Sequence, residues 1–360
     1  MRLENKISAL EYMKSALSVN THFGCALGCE YCIVNYTLTA DKESNLLSPD
    51  ELFDELINSK LFVKNKTLLS INNKTDPLLN KVMGSTFQFI NLLKENGLQN
   101  PLMLISKLAL KESDLEILED YPGRIYYFTS YSGMPKEIEP VSGIQMDNFN
   151  VLKKRKKVNS IHYWRPLIKG LNDSNENIKF LLESVQDSCD CSVVSGIRLS
   201  PYLVDILKNH GANFDGWDGN TSHKYLDKAI VNNIIEIRNS NFPNYPLFKK
   251  TSCSIAYLSS LSDYNFNFLK ENCDIFENCR NQNICRLREL PTDEEIIKKR
   301  NLLGIKNNFE FKESHILFNG KLTSDEKSFL SFNLGYPVES EEFIQSPFEE
   351  AKYNADGNYV

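Results

Sequence analysis

The stretch Thr21-His22-Phe23-Gly24-Cys25-Ala26-Leu27-Gly28-Cys29-Glu30-Tyr31-Cys32 decides the reading of this chain. It sets three cysteines in a C-x3-C-x2-C spacing on a glycine-containing loop. Thiolates three and four residues apart can converge on one face of a metal cluster. Three thiolates leave a four-iron cubane with one iron unsaturated, whereas a fully ligated electron carrier uses four cysteines. The open iron can bind a substrate or a cofactor. Gly24 and Gly28 permit the tight backbone path that wraps a cluster. The alternative is a zinc loop completed by a ligand from elsewhere, with His22 close by.

Outward from this loop, short β-rich runs alternate with helical patterns. Ala16 to Asn20 reads as a strand leading into the cysteines. Thr67 to Asn72, Leu102 to Ser106, Ile125 to Thr129, Asn159 to Pro166 and Ser192 to Leu199 read as five more. Helices are expected from Ser48 to about Asn58, over Leu79 to Glu95, over Ser113 to Asp120, after Ser174, and over Leu226 to Arg238. Six strands, most followed by a helix, imply parallel pairing with right-handed crossovers. Six units are too few to close an eight-stranded barrel. The expected fold class is therefore α/β, a partial (β/α)6 TIM-type barrel, with function at the C-terminal ends of its strands.

After about residue 245 the pattern changes. The barrel is expected over residues 1–245 and a cysteine-rich C-terminal extension over 246–360. Cys253, Cys273, Cys279 and Cys285 fall in it, outside the barrel pattern. Four thiolates there suggest a second metal site, an auxiliary [4Fe-4S] cluster ahead of structural zinc. Thr292 and Thr323 open further helices, and Asn319-Gly320 is expected to turn tightly after a strand at His315 to Phe318.

The cysteine loop resembles the signature of the radical S-adenosylmethionine (radical SAM) superfamily, C-x3-C-x-aromatic-C, with Tyr31 as the aromatic. The resemblance implies that Cys25, Cys29 and Cys32 hold a [4Fe-4S] cluster whose fourth iron chelates S-adenosylmethionine. It implies one-electron cleavage of that cofactor to a 5'-deoxyadenosyl radical, with Tyr31 against the adenine. After the second strand, Asn72-Asn73-Lys74-Thr75-Asp76-Pro77 looks close to the form in the spore photoproduct lyase-like branch, as does Ser106-Lys107 after the third. Carried over by position, Asn73, Thr75, Asp76 and Ser106 meet the cofactor's polar groups, and Lys107 and Arg165 its carboxylate. A guanidinium suits that bidentate geometry. The class also implies an electron donor such as flavodoxin or ferredoxin. The extension's cysteines are not expected in spore photoproduct lyase itself.

The chain has 360 residues, 41 Lys plus Arg, 47 Asp plus Glu and a net charge of -6. Proteins that grip phosphate backbones usually carry a basic excess. A small-molecule substrate, a nucleoside, sugar or amino-acid derivative, is favoured over nucleic acid. A DNA lyase is the first alternative and a non-catalytic zinc-binding protein the second. The run Lys153 to Lys157 is expected on a solvated face at the N-terminal end of the fifth strand. Cys189 and Cys191 read as buried or surface thiols, and His162 as a core or surface histidine. Ser195 and Arg198, on the sixth strand, can line the cofactor or take solvated or structural roles. No apolar run reaches membrane-spanning length and the N-terminus lacks a secretory core, so a cytoplasmic protein is expected.

Overall fold

The computed structural model describes residues 8–13, 16–32, 44–220, 224–266, 279–287 and 289–344. Strands β1 (Leu10–Met13) and β2 (Ala16–Val19) pair as an antiparallel hairpin. β3 (His22–Phe23) pairs antiparallel with β4 (Ser44–Asn45). Next come β5 (Leu69–Ile71), β6 (Leu102–Ser106), β7 (Ile125–Ser130), β8 (Asn159–Trp164) and β9 (Cys191–Val194). β5 pairs parallel with β2, and each later strand pairs parallel with the one before it. β10 (Ile197–Arg198) and β11 (Lys224–Tyr225) form a separate antiparallel ribbon. β12 (Leu247–Phe248) then joins β9 in parallel. The main sheet runs β1-β2-β5-β6-β7-β8-β9-β12 and is open, with β1 and β12 at its edges.

The six expected strands are thus all present, in a mixed α/β fold around a mostly parallel sheet. Two edge strands add to them. β12 is only two residues long, and a pair of residues carries no period to read. The strand expected over Ser192 to Leu199 breaks at Ser195-Gly196. A side chain on Gly196 would put its Cβ 1.7 Å from the Tyr225 carbonyl oxygen. The chain therefore leaves the sheet there and β10 takes up β11 instead.

Side-chain alternation divides the sheet into two buried faces. On the first, Leu17, Val19, Leu69, Ile71, Leu102 and Leu104 pack under the helices Pro49–Asn58, Met83–Glu95 and Glu112–Asp120. On the second, Met103, Phe128, Ile161, Tyr163, Val193 and Phe248 meet Ile255, Cys253 and Tyr257 of the helix Thr251–Ser259. That helix lies along the face: Thr251 reaches Tyr163 at the C-terminal end of β8, and Ser259 reaches Tyr126 near the start of β7.

Local chemistry sets the helix ends. Ser48, Thr292 and Thr323 each accept a backbone N–H and receive a glutamate in return, closing capping boxes at Glu51, Glu295 and Glu326. The helix expected from Leu79 starts at Met83, because Pro77 to Val82 follow the Asn72–Asp76 loop as turns. The tight turn expected at Asn319-Gly320 is a correction. β14 (Ile316–Thr323) runs through both residues, pairing antiparallel with β13 (Phe309–Phe311) and parallel with β15 (Val338–Ile344). Gly320, at φ 84°, serves a register shift between Phe318 and Lys321. A left-handed glycine suits a bulge as well as a hairpin. Among the described residues, no helix is long and apolar enough to cross a membrane.

The helix Ser324–Leu334 packs against β1. Its Asp325 accepts the Tyr12 N–H at 2.8 Å. Burial raises this carboxyl to about 6, and Glu11 pushes the same way, against the Tyr12 N–H and the Lys74 cation. The folded chain therefore holds a proton there more tightly than the unfolded chain, whose carboxyl stays near an ordinary value of about 3.9. The contribution to stability is full below the ordinary value and is lost as pH rises through about 6. Denaturant titrations between these values should show wild type losing stability with rising pH relative to Asp325→Asn. Parallel profiles would contradict this assignment.

Candidate active site at the C-terminal edge of the sheet

The cysteine loop follows β3 and lies over the C-terminal ends of the parallel strands. Gly24 and Gly28 have φ of 90° and 69°, a region other residues rarely enter. The Gly24 N–H donates to the Lys74 carbonyl at 3.2 Å, and the Glu30 N–H to the Ile138 carbonyl at 3.0 Å. The Cys32 N–H donates to the Cys29 carbonyl at 3.0 Å. The loop is thus tied on one side to the segment after β5 and on the other to the segment after β7.

Burial pushes the Cys25 and Cys29 thiols up to about 12. Backbone N–H groups of Leu27 and Asp76 aim at the Cys25 sulfur and work against that rise. The Lys107 cation works against it at Cys29. Buried thiols of this kind ionise at neutral pH only beside a strong positive centre, which a metal provides. Amide N–H groups directed at the sulfur are the surroundings a ligated thiolate needs. Among the described residues, no three His, Cys, Asp or Glu side chains gather closely enough to hold a single metal ion. A cubane needs no such convergence, since each thiolate takes a different iron.

The Asn72–Asp76 loop is threaded into the site by hydrogen bonds. The Asn72 side chain accepts the Thr21 N–H at 2.9 Å and donates to Thr86 at 2.8 Å. Ser18 donates to Asn73. Thr75 Oγ1 is buried with no hydrogen-bond partner among the described residues. A buried hydroxyl left so is costly unless an absent group completes it. Asp76 has partners within the chain. Its carboxylate accepts the Ser106 hydroxyl at 2.8 Å, the Lys107 N–H at 2.7 Å and the Leu78 N–H at 3.0 Å. Burial still raises its pKa despite these donors. Asp76 and Ser106 therefore bind each other and join the loops after β5 and β6.

Lys107 was expected to meet a cofactor carboxylate. Its ammonium donates to Glu139 at 2.7 Å and to the Tyr31 hydroxyl at 2.8 Å. Tyr31 itself donates to the same Glu139 oxygen. Gln145 donates to the other oxygen at 3.0 Å. Glu139 has no exposed surface. It is the site residue that sequence reading missed: a single glutamate in a loop after β7 carries no spacing signal. Replacing Glu139 by leucine should strand the Lys107 cation and the Tyr31 hydroxyl, costing about 2–3 kcal/mol, as for hydrogen bonds to charged groups. Glu139→Gln should recover part of this in urea unfolding. Unchanged stability in the leucine variant would remove Glu139 from this role.

Arg165 follows β8 on the same rim. Its guanidinium donates to the Tyr163 hydroxyl at 2.7 Å and stacks 4.6 Å from that ring. Among the described residues it pairs with no carboxylate. Its charge also reaches Tyr31 and Cys32. Tyr163 bonds Thr251 at 3.0 Å as well. Burial alone would raise the Tyr163 phenol. The cations of Arg165 and Lys224 and hydrogen bonds from Thr251 and Arg165 outweigh it, bringing the phenol down to about 7.

In the extension, Cys253 and Cys279 pack against the second face of the sheet. Cys285 is buried on the short helix Gln282–Arg286, its sulfur accepting the Asp263 N–H at 3.3 Å. Cys273 lies outside the described residues. Cys189 and Cys191 are buried at the start of β9, away from this rim. His162 is buried and held by Ser192 and the Tyr131 carbonyl at 2.9 Å each, with burial lowering its pKa to about 4. It is a neutral core histidine. The basic run sits at the opposite end of the strands, where Lys154 pairs with Glu112 and Arg155 with Asp190.

No family model matches the chain, and no curated protein does either. Among solved structures, a cysteine variant of spore photoproduct lyase superposes with a TM-score of 0.51 at 12% identity, covering 67% of this chain and 79% of that one. Another variant of that lyase, with dinucleoside spore photoproduct, gives 0.50 at 14% identity, covering 68% and 79%. A radical SAM methyltransferase from Sphaerobacter thermophilus gives 0.45 at 12% identity, covering 66% and 67%. At these identities the likeness is one of fold: the chain shares the fold of spore photoproduct lyase.

Proposed function

We propose that the chain is a radical SAM enzyme built on a partial (β/α)6 barrel. One observation carries the reading: a C-x3-C-x2-C loop stands over the C-terminal edge of a parallel sheet of this fold, with amide N–H groups aimed at the Cys25 sulfur. Cys25, Cys29 and Cys32 would hold a [4Fe-4S] cluster with an open iron for S-adenosylmethionine. That group, when bound, supplies one-electron cleavage of the sulfonium and a radical able to take hydrogen from carbon.

The chain's own residues hold and shield the cofactor. Thr75, with its unsatisfied hydroxyl, and Asn73 face its amino group. Asp76, Ser106 and Lys107 fix the loops beneath it, and Lys107 with Glu139 fixes Tyr31 beside the adenine. Arg165 takes its carboxylate. The barrel is assigned to residues 1–245 and the extension to 246–360. There Cys253, Cys279 and Cys285, with Cys273, would hold an auxiliary [4Fe-4S] cluster against the second face of the sheet. The acidic balance supports a small-molecule substrate, with an electron donor such as flavodoxin or ferredoxin, in the cytoplasm.

The test is anaerobic. Iron-reconstituted protein with dithionite and S-adenosylmethionine should release 5'-deoxyadenosine and methionine. A fully iron-loaded protein that leaves the cofactor intact would refute the reading.

A further inference from the structure

Arg165 is half-buried on the rim, and among the described residues its guanidinium makes one hydrogen bond, from Nη1 to the Tyr163 hydroxyl. The same guanidinium lies over the Tyr163 ring. The hydrogen bond fixes one corner of the fork, and the stack fixes its plane. The Nε–Nη2 edge is left without a partner among the described residues. Two parallel N–H groups on such an edge match a carboxylate.

Tyr163 is itself held from two sides. It is 4% exposed, and its ring meets Phe128 edge-on with centroids 5.3 Å apart. Its hydroxyl bonds Thr251, the first residue of the helix Thr251–Ser259. That helix comes from the extension and is pinned at its far end as well. There Ser259 bonds Tyr126, and the Leu258 carbonyl accepts from Arg124 at 3.2 Å. A side chain with as many rotamers as arginine costs affinity when a ligand has to order it. Here Tyr163 orders it before any ligand arrives.

We propose that Tyr163 is a positioning residue for cofactor capture: tied to Thr251, it holds the Nε–Nη2 edge of Arg165 ready for the carboxylate of S-adenosylmethionine, so that the C-terminal extension completes the cofactor site. This role deepens the radical SAM reading and rests on it. The Tyr163 hydroxyl touches no ligand; it acts through Arg165.

The test measures binding of S-adenosylmethionine to the full-length, iron-loaded protein by equilibrium dialysis without reductant, beside its decarboxylated analogue. Tyr163→Phe keeps the ring and removes only the hydroxyl. It should weaken S-adenosylmethionine roughly ten-fold, equivalent to about 1.4 kcal/mol, and leave the analogue's affinity as in wild type. In turnover the variant should show KM raised by the same factor and kcat within about two-fold of wild type. Thr251→Val should shift the affinity the same way, and Thr251→Ser should restore it. Equal affinity in wild type and Tyr163→Phe would overturn the proposal. So would a parallel loss for both ligands, which a structural defect gives, or a fall in kcat with KM unchanged. Wild-type affinity in Thr251→Val would overturn the extension's share. A wild type that binds no S-adenosylmethionine would overturn this role and the enzyme reading together. One that binds it but releases no 5'-deoxyadenosine would sink the enzyme reading alone, while dialysis still reads the Tyr163 effect.

Discussion

Cys29→Ala should abolish 5'-deoxyadenosine formation, to below a thousandth of wild type. Loss of one of three ligands leaves two thiolates for a cubane, and the remaining irons would need solvent or a distant donor. Cys29 is buried. Its neighbours Glu139 and Lys107 are bound to each other, and the Tyr31 hydroxyl is bound to both. The loop should keep its path, since Gly24, Glu30 and Cys32 are held by backbone bonds that the substitution does not touch. Iron content of the site and product formation should therefore fall together while circular dichroism and unfolding midpoint change little. Undiminished product from this variant would refute the ligand assignment.

Glu11→Leu should be the most destabilising single change on this face. Lys74 and Glu11 pair at 2.8 Å with side chains 1% and 4% exposed. Removing one member of a buried pair leaves a lone charge and costs about 3–5 kcal/mol. Lys74 keeps the Ser8 carbonyl at 3.2 Å, and the Asp325 carboxyl lies within range of its charge, so the lower part of that span is expected. The double variant Glu11→Leu with Lys74→Met should recover most of the loss, because no charge is then left unpaired. The effect should extend to the site. Lys74 stands within Asn72–Asp76, its N–H donates to Asn20 at 3.2 Å, and its carbonyl holds Gly24. Cofactor affinity should fall in the single variant and return in the double. A single variant within about 0.5 kcal/mol of wild type, the usual range for surface changes, would show that this pair is not buried as described.

Much of this was legible in the sequence. The strands at Ala16, Leu102, Ile125 and Asn159 announce themselves as short runs of apolar and β-branched residues bounded by turn-formers. Ser48, Ser174, Thr292 and Thr323 announce helix starts, because a capping hydroxyl is a local device. The cysteine loop stands out because its spacing is local, three residues between the first pair and two between the second. What is illegible depends on meetings across the chain. Nothing in Glu139, Lys107 and Tyr31 as a sequence says that they converge, since the residues are 32 and 108 positions apart from Glu139. Asn319-Gly320 has the composition of a hairpin turn, yet β14 finds its partners in β13 before it and β15 after its helix. The break at Gly196 is set by a carbonyl on Tyr225, which no local pattern foretells. Cys253 and Cys279 reach the second face of the sheet because the helix Thr251–Ser259 lies along it, a placement their spacing alone does not give.

The central claim is that the iron cluster held by Cys25, Cys29 and Cys32 keeps one corner for S-adenosylmethionine. Electron paramagnetic resonance of the dithionite-reduced protein, recorded with and without the cofactor, tests it most directly. Addition of S-adenosylmethionine should shift the g-values of this cluster's component, and Cys29→Ala should lose that component and the shift while any signal of the auxiliary cluster stays. Reduced protein in which no four-iron component responds to the cofactor would contradict the account.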